Sequence, residues 1–492
     1  MHRVVRRSVI ALSVLAVSWG ALAFGAVYPW SYYPLAAMCA IAGLTALVIF
    51  RPSRAPINAL AGGLGVIAVV IALQLVPLSP TTLTRVSPGT DRFLRTNDLG
   101  YLVPVLDESG EQLVDPAPRP ITLDPAATRT AFMFFAVFAV FTLGLAALLS
   151  VTGAMPLVHA MVALGVVLAL VGIVQYTVTG GATYTLKIYG FWTPEFRGTP
   201  FGPFVNRNHF AGWMLMGLPL AIATACGAAT SFRGPGLRRF IGWLSASPDA
   251  GRMQLMAGAS AIMALSLLMA SSRSGVLGLG VAALLATGLV LRRQKTRRAR
   301  GWVLFLAVFL LVAAAGWAGV DALVLRIGTL SADGSSAGGR LQTWKDALTI
   351  GRNFPFIGAG VNAFGMAMTQ YQTSNRSIHF EQAHNDYLQL LAEGGILLSV
   401  AVVATLAIFI NTIRRRFREA PRQGSTYWAR VGAVIGLIAI AIQSLFEFSL
   451  QIPGNAAMFC VLAAIAIHRS PSVRSSGSDP KDINYGYPSH TP

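Results

Sequence analysis

A chain of 492 residues that is 54% hydrophobic and only 12% charged, with a mean hydropathy of +0.61, carries more apolar residues than a water-soluble core of that length would use. That balance excludes a soluble enzyme and a disordered scaffold and describes an integral membrane protein. The net charge of +19 could suggest a nucleic-acid partner, but its distribution along the chain argues against one.

A transmembrane helix needs about 20 mostly apolar residues, and twelve such runs are expected, near 8–26, 34–50, 57–77, 131–150, 155–177, 209–229, 254–270, 275–291, 302–320, 391–412, 431–446 and 454–468. The first follows Arg3, Arg6 and Arg7 and is trailed by Ala21-Leu22-Ala23, which admits a cleaved signal peptide. Eleven further spans make a retained helix the simpler expectation. With the N-terminus in the cytoplasm, the cytoplasmic segments hold 24 of the 38 Lys and Arg residues, and 15 of the 19 acids fall outside, leaving only Asp249, Glu419, Asp479 and Asp482 within. This is the positive-inside pattern. Basic stretches such as RRQKTRRAR (292–300) therefore set orientation, with anionic-lipid contact as a secondary role. Cys39, Cys226 and Cys460 lie in or beside apolar runs and are expected to be small buried hydrophobes, with no disulfide and no metal.

The expected fold is an all-α polytopic membrane protein of about twelve transmembrane helices with a partly helical large periplasmic loop. Helices one to three occupy 1–77, a first extracytoplasmic loop 78–130, helices four to nine 131–320, a large loop 321–390, helices ten to twelve 391–468, and a disordered cytoplasmic tail 469–492. Loop 78–130 is rich in Pro, Thr and Asp without a clear period and reads as mostly irregular, a lid or acceptor-facing segment. In the large loop, GRLQTWKDALTI spaces Leu341, Trp344 and Leu348 as the stripe of an amphipathic helix lying at an interface. The following FPFIGAGVNAFGMAM is apolar but broken by Pro355, Gly358, Gly360 and Gly365, so it is expected to fold against the membrane domain without spanning it.

Four extracytoplasmic features could carry chemistry. SSRSG (271–275) sets Arg273 between two apolar runs, where it must either snorkel to headgroups or line a polar cavity that binds phosphate. Arg340 opens the amphipathic helix; alone it reads as a solvated arginine, and beside Arg273 it could present a planar fork of donors to phosphate oxygens. FVNRNHF (204–210) places Asn206, Arg207, Asn208 and His209 at a helix entrance, either as cap and anchor or as lining of the same cavity. In EQAHNDYLQL (381–390), Asn385 or Asp386 can cap the next span, and His384 sits at its mouth. With an ordinary pKa near 6.5, a neutral imidazole there could accept a proton from a hydroxyl, with Asp386 or Glu381 orienting the ring. No Cys/His cluster has zinc spacing, no Asp-x-Asp pair suggests a metal-bound donor, and GAGVNAFG lacks the spacing of a nucleotide loop. No cofactor is expected.

Taken in order, FVNRNHFAGWMLMGLPLA, SSRSG, GRLQTWKDAL, FPFIGAGVNAF and AHNDYLQLLAEGG resemble the O-antigen ligase and O-antigen polymerase superfamily over roughly residues 200–465. The resemblance implies a metal-independent, inverting membrane glycosyltransferase of the GT-C class. Its donor would be a glycan on undecaprenyl pyrophosphate, and its acceptor a hydroxyl of lipid A core, of a second lipid-linked glycan or of a protein glycan site. It further implies a bacterial inner-membrane location with both termini cytoplasmic and the active site on the periplasmic side, among membrane lipids as its surroundings. The family's two pyrophosphate-binding arginines correspond to Arg273 and Arg340, and its essential loop histidine to His384, the base. Asn206, Arg207, Asn208, His209, Asn385 and Asp386 are candidate cavity-lining residues. Two alternatives stay open: a twelve-span secondary transporter of a solute or bicarbonate, and a lipid-linked peptidoglycan-type polymerase. The latter would need a periplasmic acid, for which Asp333, Glu381 and Asp386 are the candidates and none is a clear match.

Overall fold

The computed structural model describes residues 2–50, 56–101, 105–106, 112–114, 117–180, 187–195, 199–232, 237–280, 284, 337–373, 378–419 and 424–469. Among them, eight helices are long and apolar enough to cross a membrane: Arg3–Leu22, Pro29–Ile49, Pro125–Thr152, Met155–Val178, Arg207–Ala229, Pro248–Met269, Asp386–Glu419 and Ser425–Gln443. Two shorter apolar helices, Ile57–Leu73 and Pro453–Ile467, coincide with two more of the expected runs. The run expected at 302–320 and most of that at 275–291 lie outside the described residues, as do RRQKTRRAR, Asp333 and the tail from 470. The protein is an all-α membrane protein, and of these eight helices Arg207–Ala229 is the most buried, packed between Pro248–Met269 and Ser425–Gln443. Of the three unpaired cysteines, Cys39 and Cys460 are buried as expected, whereas Cys226 is exposed on the outer face of its helix.

Among its described residues, the loop expected at 78–130 is far more ordered than its composition suggests. Ser79 caps a helix at Pro80–Val86 by accepting from the Thr82 amide, and a second helix follows at Pro88–Asn97. Residues Pro77–Leu78 pair antiparallel with Arg119–Pro120. Helices of 7 and 10 residues are too short to display a readable stripe, and packing stabilises them where propensity does not. Phe93 and Leu123 share one apolar cluster with Ala347, Ile350, Phe354 and Phe364 of the large loop. Buried Asp91 ties the segment internally, accepting from Arg95 Nε and Tyr101 Oη at 2.8 Å each.

The amphipathic helix of the large loop is present at Ala337–Asn353, but its buried side is not the one read from sequence. Thr343, Asp346, Ala347 and Ile350 point inward, while Leu341 and Leu348 remain 45% and 39% exposed. Asp346 decides the orientation: it accepts from the Thr373 amide at 3.1 Å and the Thr373 hydroxyl at 2.6 Å. A carboxylate so paired can be buried, and the Leu341, Trp344, Leu348 stripe is left outside the core.

FPFIGAGVNAF folds against the membrane domain as expected, along a backbone seam. The amides of Ala359 and Gly360 donate to the carbonyls of Ala392 and Glu393, and those of Ile396 and Leu397 donate to Pro355 and Phe356. The seam needs glycine on both sides. Gly395, at φ +59, kinks the Asp386–Glu419 helix, and a Cβ on Gly358 would stand 2.2 Å from the Glu393 carbonyl oxygen. Gln74 clamps the same place, donating to the Ile357 and Glu393 carbonyls and accepting from the Val361 amide.

Candidate active site

Glu447 stands at the centre of the residues singled out above, and its side chain is only 1% exposed. One carboxylate oxygen, Oε1, accepts from Arg340 Nη2 at 2.7 Å and from Asn208 Nδ2 at 2.7 Å. The other, Oε2, faces His384 Nδ1 at 3.4 Å. Three segments far apart in sequence therefore converge on one buried charge. Arg340 is held a second time, donating from Nη1 to the Phe446 carbonyl at 3.1 Å.

The local folding of each arm follows from its residues. Asn206 caps the Arg207–Ala229 helix by accepting from the Asn208 amide, which frees the Asn208 side chain to reach Glu447. Asn208 Oδ1 in turn accepts from Ser272 Oγ at 2.9 Å, so Arg273 follows directly on a residue fixed to the cluster. Arg273 is exposed and opens the helical stretch 273–280. Asn385 is the cap of the Asp386–Glu419 helix, its Oδ1 accepting from the Tyr387 and Leu388 amides at 3.1 Å each. His384 precedes it at φ +50, a left-handed conformation that is uncommon outside glycine and costs about 1–3 kcal/mol. The bond from the Asp386 amide to the Ser444 carbonyl, with the ring packed edge-on to Phe448 at 4.9 Å, fixes that geometry.

The remaining candidates take supporting places. His209 is buried and packs edge-on to Phe448 at 4.8 Å, the same ring that His384 meets. Arg207 is half-buried and makes no side-chain hydrogen bond among the described residues. Neither Asp386 nor Glu381 orients His384. Asp386 accepts instead from Gln451 Nε2 at 2.8 Å, and Glu381 is exposed. The carboxylate that does so, Glu447, was missed because FEFSLQIPG (446–454) reads as the trailing end of one apolar run and the start of the next. An acid beside two spans, among only 19 in the chain, was the available signal.

Burial pushes the Glu447 carboxyl up, but the hydrogen bond from His384 and the charges of Arg340 and His384 outweigh it and hold the group below the ordinary carboxylate range. Because the native carboxyl lies below its unfolded value of about 4.3, its contribution to stability is complete above that pH and is lost as pH falls through the native value. In thermal melts, the gap between wild type and Glu447→Gln is expected to shrink as pH falls below about 4. A gap still undiminished at about pH 2 would contradict the assignment. Among the described residues no three His, Cys, Asp or Glu side chains are placed to hold a metal ion.

Comparison with known proteins adds a family. No curated protein matches the chain. Residues 258–403 match the family model described as O-antigen ligase, a segment that contains Arg273, Arg340 and His384 but neither Asn208 nor Glu447. This match, over 146 of the 492 residues, supports the resemblance to the O-antigen ligase and O-antigen polymerase superfamily and a glycosyltransferase activity of that general type.

Proposed function

We propose that the chain transfers a glycan from an undecaprenyl pyrophosphate donor to an acceptor hydroxyl at the extracytoplasmic end of its helices, as a ligase or polymerase of surface polysaccharide in a bacterial inner membrane with about twelve spans. The observation that carries the reading is the convergence of Arg340, His384 and Asn208 on the buried Glu447 carboxylate. With Nδ1 facing that carboxylate, the ring keeps its proton there and leaves Nε2 to accept one, the arrangement a general base needs.

In the proposed reaction His384 Nε2 takes the proton of the acceptor hydroxyl as its oxygen attacks the anomeric carbon. The bond from that carbon to the pyrophosphate oxygen breaks on the opposite face, and the electron pair leaves with the pyrophosphate, so the configuration inverts. Arg273 and Arg340 stabilise the negative charge that gathers on the leaving group. No step requires a metal ion. Arg340 uses two donors on the protein and, at 39% side-chain exposure, has others to offer. Glu447 holds it in place, so less ordering is needed when the donor binds.

His384→Ala and Arg273→Ala are each expected to lower transfer by about 10²–10³-fold, the usual effect of removing one group that acts at the transition state. Surface glycan, or its long-chain forms, should disappear while protein level and membrane insertion stay normal. Unchanged glycan in both variants would sink the proposal.

A further inference from the structure

A second polar pocket lies away from Glu447 and shares no lining residue with it. It has a volume of about 230 Å³ and opens between the first-loop helix Pro88–Asn97 and the turn that follows the Ala337–Asn353 helix. Gly89, Arg92, Arg352, Asn353, Phe354 and Phe356 line it. The two walls touch closely, since a Cβ on Gly89 would stand 2.4 Å from the Asn353 carbonyl oxygen. Arg92 Nη1 reaches across to Asn353 Oδ1 at 3.3 Å. Among the described residues no carboxylate forms an ion pair with Arg92 or with Arg352. Two guanidinium groups thus share a cavity with two phenylalanines and no counter-charge, a setting suited to a phosphate that carries an apolar chain.

The floor of this pocket leads to an exposed apolar surface. Phe356, 66% exposed, accepts through its carbonyl from the Leu397 amide, so the pocket rim rests on the Asp386–Glu419 helix just past its kink. From there a groove of about 360 Å³ runs along the same helix, lined by Ile396, Ser399, Val400, Val403, Ala404 and Ala407. Ile396, Val400 and Val403 are 53%, 61% and 65% exposed. At about 1.5 Å per residue the groove extends roughly 16 Å, half of a hydrocarbon core of about 30 Å. That is the depth of one leaflet.

We propose that this pocket and groove bind one anionic phospholipid of the surrounding leaflet, its phosphate between Arg92 and Arg352 and one acyl chain along residues 396–407. The site is independent of the glycosyl-transfer reading, and its test involves no transfer. Purified full-length protein in micelles would be loaded with a fluorescent phosphatidylglycerol and competed with unlabelled phosphatidylglycerol, phosphatidylcholine or inorganic phosphate. At roughly a factor of five per arginine, phosphatidylglycerol should compete about twenty-fivefold better than phosphatidylcholine, and inorganic phosphate should barely compete. In the Arg92→Gln, Arg352→Gln double variant that ratio should fall to about one, with the melting temperature unchanged because both side chains are exposed. Val403→Trp, which fills the exposed groove, should weaken binding of the labelled lipid without altering the headgroup ratio. Retention of the preference in the double variant, unaltered binding in Val403→Trp, or displacement of the lipid by inorganic phosphate alone would each overturn the site.

Discussion

Glu447→Gln is expected to lower glycan transfer by about 10³-fold or more while leaving the protein folded. The amide matches the carboxylate in shape, so its oxygen can still accept from Arg340 and Asn208, which now meet Oε1 at 2.7 Å each. The amide nitrogen then faces His384 Nδ1 in place of Oε2. Two donors cannot share one contact, so the ring shifts its proton to Nε2 and loses the lone pair that would accept from the acceptor hydroxyl. The pH–rate profile separates this from a general loosening of the site. A tautomer effect lowers the plateau across the whole pH range, and Glu447→Asp, which keeps the charge, should recover part of the rate. Activity within tenfold of wild type in Glu447→Gln would remove the residue from the mechanism.

Gly360→Ala should fail to accumulate as folded protein. Gly360 sits at φ +109, and a Cβ there would lie 1.9 Å from Thr122 Oγ1 and 2.9 Å from the Thr122 backbone. Rotation of the threonine relieves the first clash but not the second. A non-glycine residue at this backbone angle adds strain of about 1–3 kcal/mol, and separating the two loops breaks the apolar cluster that joins them, so a total above about 4 kcal/mol is expected. Size-exclusion profiles of detergent-solubilised protein would report the loss of the monodisperse peak. Gly258→Ala is the matching control, since nothing lies within 4 Å of a Cβ at that helical position. Equal behaviour of the two variants would show that the seam is not required for folding.

These cases separate what could be read from residue order from what could not. The helices and a cap at Asn385 or Asp386 were legible because each is written locally, in apolar runs and in Asx residues ahead of a helix. His384, Arg273 and Arg340 were legible as members of a known series of motifs. Glu447 was not, since its partners Asn208, Arg340 and His384 lie 239, 107 and 63 positions away and only folding joins them. The inward side of the Ala337–Asn353 helix escaped for a related reason. An apolar stripe was visible at Leu341, Trp344 and Leu348, but the pairing of Asp346 with Thr373 was not. The first loop failed as a reading because short proline-led helices gain their order from the neighbouring loop, which no period announces.

The shared carboxylate also bears on how such a protein could be rebuilt. The matched stretch 258–403 carries the histidine and both arginines, whereas the carboxylate that holds His384 and Arg340 comes from the connection before the Pro453–Ile467 helix, and its amide partner Asn208 from the start of the Arg207–Ala229 helix. A chimera that exchanged only the matched stretch between two such enzymes would inherit the reactive groups and leave their anchor behind. Positions 208 and 447 would have to travel with it, and swapping them together is the smallest graft that keeps the constellation whole.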